Sequence, residues 1–214
     1  MMSSQQLSSL RDLLHDGVHR FHTEVYAKHQ QEYERAATTP QQPHTLFVTC
    51  ADSRIDPEAI TQSGPGQIFV ARNVGNIVPA YGEMLGGVSA VIEYAVSALR
   101  VSQVVVCGHS DCGAMKGLLQ RDTLRSLPVV DRWLQNAEAA LSVARAKRAD
   151  ADEKALLPEL TQENVLLQLA HLRTHPAVAG RLAEGTLAVY GWVYDIGSGA
   201  VREYDAAAER FAEI

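Results

Sequence analysis

The sequence predicts a single α/β domain with a mostly parallel central sheet of about four strands, an antiparallel edge strand, and helices on both faces. Three observations carry that expectation. Thr45–Thr49, Gln67–Ala71, Val104–Cys107 and Leu187–Tyr194 are short apolar runs, the pattern of strands buried on both faces. Helical periodicity fills the intervals between them, as parallel crossovers require. Gly197-Ser198-Gly199 then reads as a hairpin turn, so Val201–Tyr204 returns antiparallel at an edge. At 214 residues and 46% hydrophobic content, one core is expected over residues 1–214, with an N-terminal helical arm to about residue 37.

In chain order, Leu10, Leu13, Leu14, Val18, Phe21, Val25 and Tyr26 recur at helical spacing, predicting one or two helices over residues 9–35. His15, His19 and His22 share a face of that arm with His29 beyond; an amphipathic boundary explains them better than a second metal site. Residues 38–43 read as a proline-marked linker. Asp56-Pro57-Glu58 reads as a helix start with proline at the first position. Val88–Leu99 is an apolar helix with little polar face, suited to the sheet or to another subunit. Further helices are expected at Ala114–Gln120, Leu127–Ala149 and Thr161–Thr174, and a short one at the end of the chain. His171 and His175 read as charge partners of a helix C-terminus.

A net charge of -6 argues against a nucleic-acid partner. Three cysteines make no disulfide framework and fit a reducing compartment. The opening MMSSQQLSSLRD lacks the basic-then-apolar run of a secretory signal, and no apolar stretch reaches membrane-spanning length. A cytoplasmic protein without membrane contact is the expectation.

The chemistry concentrates at the ends of two strands. In Gln103–Gly113, Gly108 reads as the strand breaker, with His109 and Cys112 following three residues apart on the loop. Cys50 ends the run that begins at Thr45 and opens Cys50-Ala51-Asp52-Ser53-Arg54. Neighbouring parallel strands deliver such residues to one crevice at their carboxyl ends. An imidazole and two thiolates suit zinc, and three protein ligands with one open position make a catalytic site rather than a structural one. The loop Arg72-Asn73-Val74-Gly75-Asn76 leaves a third strand and is expected nearby.

These motifs resemble the β-class carbonic anhydrases: Cys50-x-Asp52-x-Arg54, His109-x-x-Cys112-Gly113 and the Arg72–Asn76 loop, over nearly the whole chain. The resemblance implies reversible hydration of carbon dioxide to bicarbonate and a proton. One zinc per chain would be held by Cys50, His109 and Cys112, with water or hydroxide as the fourth ligand. Asp52 and Arg54 match the family's dyad; two apart on the same side of a segment read as extended, Arg54 can hold the Asp52 carboxylate by paired hydrogen bonds. Asp52 then orients the zinc-bound hydroxide or, released, gates the metal by ligating it. Gln41, Phe69, Val74 and Tyr94 match residues lining the substrate pocket in the plant-type branch. The allosteric branch carries a tryptophan at the position of Phe47, beside an arginine and a tyrosine matching Arg72 and Tyr194; without it no regulatory bicarbonate site is expected. The family assembles as homodimers or homotetramers, with the N-terminal helices extending onto a partner subunit. Two thiolates donate more charge to zinc than imidazoles do, which shifts the expected working range to higher pH.

Three other readings compete. Carbonyl sulfide or carbon disulfide are isosteric substrates for the same fold and metal. A zinc-stabilised binding or sensor protein would need a fourth protein ligand, with Asp52 and Asp111 the nearest. A redox pair of Cys50 and Cys112 lacks the CxxC spacing.

Overall fold

Each apolar run read above as a strand pairs with another, and together they build one sheet. The computed structural model describes residues 4–83 and 86–214, in two units. One comprises the chain to Gln41 with Gly64–Gly66; the other comprises Gln42–Ser63 and Gln67–Ile214.

In the first unit, α1 (Ser4–Arg20) runs through a π-helical turn (Phe21–Tyr26) before α2 (Gln30–Thr38). Leu10, Leu13, Leu14 and Val18 form an exposed apolar stripe along α1. Tyr33 of α2 packs against the Phe21 and Tyr26 rings at 5.7 and 5.2 Å. His15, His19, His22 and His29 are all exposed. His22 stacks on Tyr26, and His29 pairs with Glu32.

The second unit runs β1 (Thr45–Cys50), α3 (Pro57–Thr61), β2 (Ile68–Asn73), α4 (Gly87–Glu93), β3 (Gln103–His109), α5 (Gly113–Leu119), α6 (Pro128–Leu134), α7 (Glu138–Lys147), α8 (Glu153–Thr174), α9 (Pro176–Ala183), β4 (Ala188–Tyr194), β5 (Val201–Asp205) and β6 (Arg210–Glu213). The strand order is β2-β1-β3-β4-β5-β6. The first four strands are parallel, with Thr45 level with Ile68 and Gln103, and Gln103 level with Ala188. The last two add antiparallel.

Every residue of β1 is buried, as an interior strand of a two-faced sheet requires. Alternate residues serve opposite faces. Leu46 and Val48, with Val104 and Val106 of β3, join Val165, Leu169 and Leu172 of α8 in the main core. Phe47, Val105 and Cys107 point the other way, towards Tyr190 and Trp192. Each fully buried aliphatic side chain of this kind contributes about 1.5–3 kcal/mol. The α3 start is as expected: Asp56 caps it by accepting from the Ala59 N–H at 3.1 Å, with Pro57 in the first turn.

Five details differ from the sequence reading. Gly108 does not break β3, which continues through His109. Its missing side chain admits α8 instead: a Cβ on Gly108 or Gly191 would stand 2.9 or 2.8 Å from Val165. The chain ends in strand β6 rather than a helix, so β5 is not the edge. The Asp205 carboxylate accepts from the Ala207 and Ala208 N–H groups to form the turn, and Phe211 packs on Tyr204 at 5.3 Å. The helix expected over Leu127–Ala149 is two helices joined by a 3-10 turn, where Asn136 Nδ2 donates to the Trp133 carbonyl. Helix α8 starts well before Thr161, capped by Asp152, and runs through Pro158. Finally, His171 and His175 are not charge partners of a helix end: each ring bonds a backbone carbonyl, Val78 O at 2.9 Å and Pro79 O at 3.0 Å.

Candidate metal centre

Cys50 is the last residue of β1 and His109 the last of β3, so the parallel register brings both to one end of the sheet. Cys112 follows at the N-cap position of α5. Between the two, Asp111 adopts a left-handed conformation, φ 60°, which turns the chain back so that Cys112 faces the strands. The ligand atoms of Cys50, His109 and Cys112 lie within 4.8 Å of one another, and all three residues are buried.

The donor set fits zinc on the structure's own terms. His109 Nδ1 bonds the Ser110 carbonyl at 2.8 Å. A carbonyl only accepts, so Nδ1 carries the proton and Nε2 presents its lone pair to the two sulfurs. Nε2 is buried with no hydrogen-bond partner. A buried lone pair beside two sulfurs needs a cation to satisfy it, and one imidazole with two thiolates is a zinc set. The sulfurs are already poised. Cys50 is pushed well below the usual thiol range, first by a hydrogen bond from Cys112, with backbone N–H groups of Gly75 and Asp52 adding to it. Cys112, bonded to the Cys50 sulfur and buried, is pushed up correspondingly. Cys107 points away from the centre, and burial raises its thiol to about 12.

Asp52 and Arg54 form their pair on a turn rather than on an extended segment. The Arg54 backbone N–H and Nε donate to Asp52 Oδ1 at 3.0 and 2.9 Å, and Nη2 donates to Oδ2 at 2.8 Å. That clasp, chiefly the guanidinium hydrogen bonds, holds the carboxyl well below the usual carboxylate range. Asp52 Oδ2 stands 4.0 Å from His109 Nε2. Arg54 is held from its far side too, donating to Asp111 Oδ2 at 3.0 Å, and Lys116 also pairs with Asp111. Asp111 thus anchors the arginine instead of ligating the centre.

The Arg72–Asn76 loop borders the centre as expected. Gly75 N–H donates to Cys50 Sγ at 3.4 Å. Arg72 secures the turn after β1 through the carbonyls of Cys50, Asp52 and Ile55. A ladder of side chains on α8 and at its C-cap fastens the segment that follows. Asn164 Nδ2 donates to Gly75 O at 3.0 Å, and Gln168 Oε1 accepts from Val78 N–H at 2.8 Å. The carbonyl bonds of His171 and His175 continue the ladder. Sequence reasoning missed this ladder because its partners are backbone groups some ninety residues away, which leave no spacing signal.

Val74 is exposed on the loop beside the centre. Phe69 is half-buried on β2 and its ring lies 6.0 Å from that of Tyr94, which is 49% exposed. Phe69 sits level with Leu46, four residues before the Cys50–Asn73 level, or about 13 Å along the strand. Gln41 is exposed and belongs to the first unit.

Fold and centre together define an α/β metalloenzyme with a three-ligand zinc site at the carboxyl ends of parallel strands. A family model described as carbonic anhydrase matches residues 45–201. The chain is 49% identical over 205 residues to a carbonic anhydrase of Pseudomonas aeruginosa, covering 96% of this chain and 92% of that protein. The structure of the β-carbonic anhydrase CcaA superposes with a TM-score of 0.93 at 40% identity, over 96% of this chain and 92% of that one. A β-carbonic anhydrase of Sordaria macrospora, described as tetrameric, gives 0.72 at 31% identity, over 94% and 97%. The chain belongs to the carbonic anhydrase family, in its β class. Its reaction is the zinc-dependent reversible hydration of carbon dioxide to bicarbonate. No described helix is long and apolar enough to cross a membrane.

Proposed function

We propose that Asp52 and Arg54 work as an orienting and gating dyad at this centre. The observation that carries the reading is the Asp52 carboxylate, clasped by Arg54 through both oxygens while its Oδ2 stands 4.0 Å from His109 Nε2. Zinc, held by Cys50, His109 and Cys112, supplies the acidification that makes water nucleophilic near neutral pH. With zinc bound, Asp52 would accept a hydrogen bond from its water and orient that water towards carbon dioxide. Arg54 keeps the carboxylate ionised and clasped; a carboxylate freed from Arg54 would itself be able to ligate the metal and close the site.

Substrate contacts follow the same reading. Val74 lines the centre of its own chain. Phe69 is displaced along β2 with the Tyr94 ring 6.0 Å from it, and both are assigned to the centre of a second copy; Gln41 is assigned as an amide donor to substrate. Their exposure and the tetrameric description of the Sordaria relative support a homodimer or homotetramer, onto whose partner subunit the N-terminal helices extend. Three free cysteines suit a reducing, cytoplasmic setting.

The test is stopped-flow carbon dioxide hydration by Asp52→Asn, with zinc quantified per chain. The expected result is full zinc and a kcat/KM lower by about 10- to 100-fold. Unchanged turnover at full zinc would remove the dyad from the mechanism. Sedimentation across a concentration series tests the assembly, and a monomer at all concentrations would overturn it.

A further inference from the structure

One peptide beside the centre is bonded at both ends. The Val74–Gly75 peptide gives its N–H to Cys50 Sγ at 3.4 Å, and its carbonyl accepts the indole N–H of Trp133 at 2.8 Å. Trp133 is half-buried on α6 and packs against the cluster containing Cys50 and Cys112. The next carbonyl, Gly75 O, is taken by Asn164. Gly75 itself has φ +81°, and a Cβ there would stand 3.0 Å from Ala114 Cβ, so the backbone has little room to turn another way. The result is a hydrogen-bonded series that starts at an indole, passes through one peptide and ends on a ligand sulfur.

We propose that Trp133 is a positioning residue for the metal centre: its N–H, acting through the Val74–Gly75 peptide, fixes and strengthens the hydrogen bond received by the Cys50 sulfur. Hydrogen bonds in series polarise one another, so a donor on the carbonyl makes the same peptide's N–H a better donor. A stronger N–H···S bond draws electron density from the sulfur and lowers the charge it can give a metal. Such outer partners orient ligands and tune affinity. Trp133 touches neither substrate nor metal. Tryptophan suits the position because indole combines an apolar plate with a group that only donates. The inference rests on Cys50 being a zinc ligand.

The experiment uses the full chain with cobalt(II) in place of zinc, whose thiolate-to-metal charge-transfer band reports the sulfur directly. Trp133→Phe removes the donor and keeps most of the ring. Replacement of Trp133 by 3-benzothienylalanine keeps the bicyclic shape with sulfur where the N–H was, and serves if Trp133→Phe does not fold. The expected result is a band at lower energy than in the unaltered protein, because the Cys50 sulfur regains the electron density that the hydrogen bond withdrew. A band at the unaltered energy in the folded variants, whatever their thermal midpoints, would reduce Trp133 to packing and overturn the proposal. An unaltered cobalt protein with no thiolate band would instead overturn the ligand assignment, and with it this inference.

Discussion

Two devices hold this centre, and they are built from opposite materials. On the solvent side, Asp52, Arg54, Asp111 and Lys116 form a chain of charges, with Arg54 and Asp111 about half exposed. On the inner side, Asn164, Gln168, His171 and His175 form a ladder of hydrogen bonds to the backbone of residues 75–79, with Asn164, Gln168 and His175 almost fully buried. Exposed ion pairs are weak and screened by salt, so the outer device can open and close at little cost. Buried neutral hydrogen bonds are costly to break, since each unmade partner loses its solvation. The proposed gate is therefore made of charges at the rim, and its fixed surroundings of buried hydrogen-bonded side chains.

The comparison breaks most visibly at Gln168. Gln168→Leu strands the Val78 N–H and removes the bonds to Asn136 and Asn164, so a stability loss of about 2–4 kcal/mol by urea unfolding is expected. Arg54→Met should show the opposite profile. Its folding stability stays close to that of the unaltered protein, while turnover falls by about 10- to 100-fold as Asp52 loses its hold, and a crystal structure of the zinc-loaded variant should show the Asp52 carboxylate in place of water as the fourth ligand. A large stability loss in this variant would show that the rim is structural after all.

Two smaller effects sharpen the contrast. With one thiolate favoured in the Cys50–Cys112 pair, zinc uptake by metal-free protein near pH 7 should release about one proton, from the pair. Calorimetry in buffers of different ionisation enthalpy counts it. Asp111→Asn should be the mildest change, moving Tm by no more than about 2 °C. Asp111 is lowered first by Lys116 and then by Arg54, and Asp52 by Arg54. Groups lowered by folding stabilise above their ordinary range and lose that contribution as pH falls through their folded values. In Asp111→Asn the neutral side of the stability profile should therefore drop slightly while the acid limit stays as it is, so the fall with acid becomes shallower.

The ligand set was legible because chemistry and topology coincide in short stretches. Cys50 and His109-x-x-Cys112 each end an apolar run, and parallel strands bring such ends together. The Asp52–Arg54 clasp was readable from its spacing, though the sequence suggested an extended segment where the chain turns. Pro158 hid the first turns of α8, because a proline reads as a stop although the Asp152 cap marks the start. Strand β6 is four residues with two apolar positions, too short for a period to show, and it exists through pairing with β5. Trp133 drew no reading beyond its place in the run expected to be helical over Leu127–Ala149. Its role lies in a bond to a backbone carbonyl 59 residues away, which no local pattern encodes.

The ladder on α8 has a thermal consequence. Its rungs tie the loop beside Cys50 to the helix that packs on β3 and β4 through Gly108 and Gly191. That loop therefore has no cheap local route to disorder and should open with the sheet itself, as part of one cooperative unit. On heating, catalysis and tertiary structure are expected to disappear together, in a single transition, with no cooler interval in which a folded chain has already lost its centre.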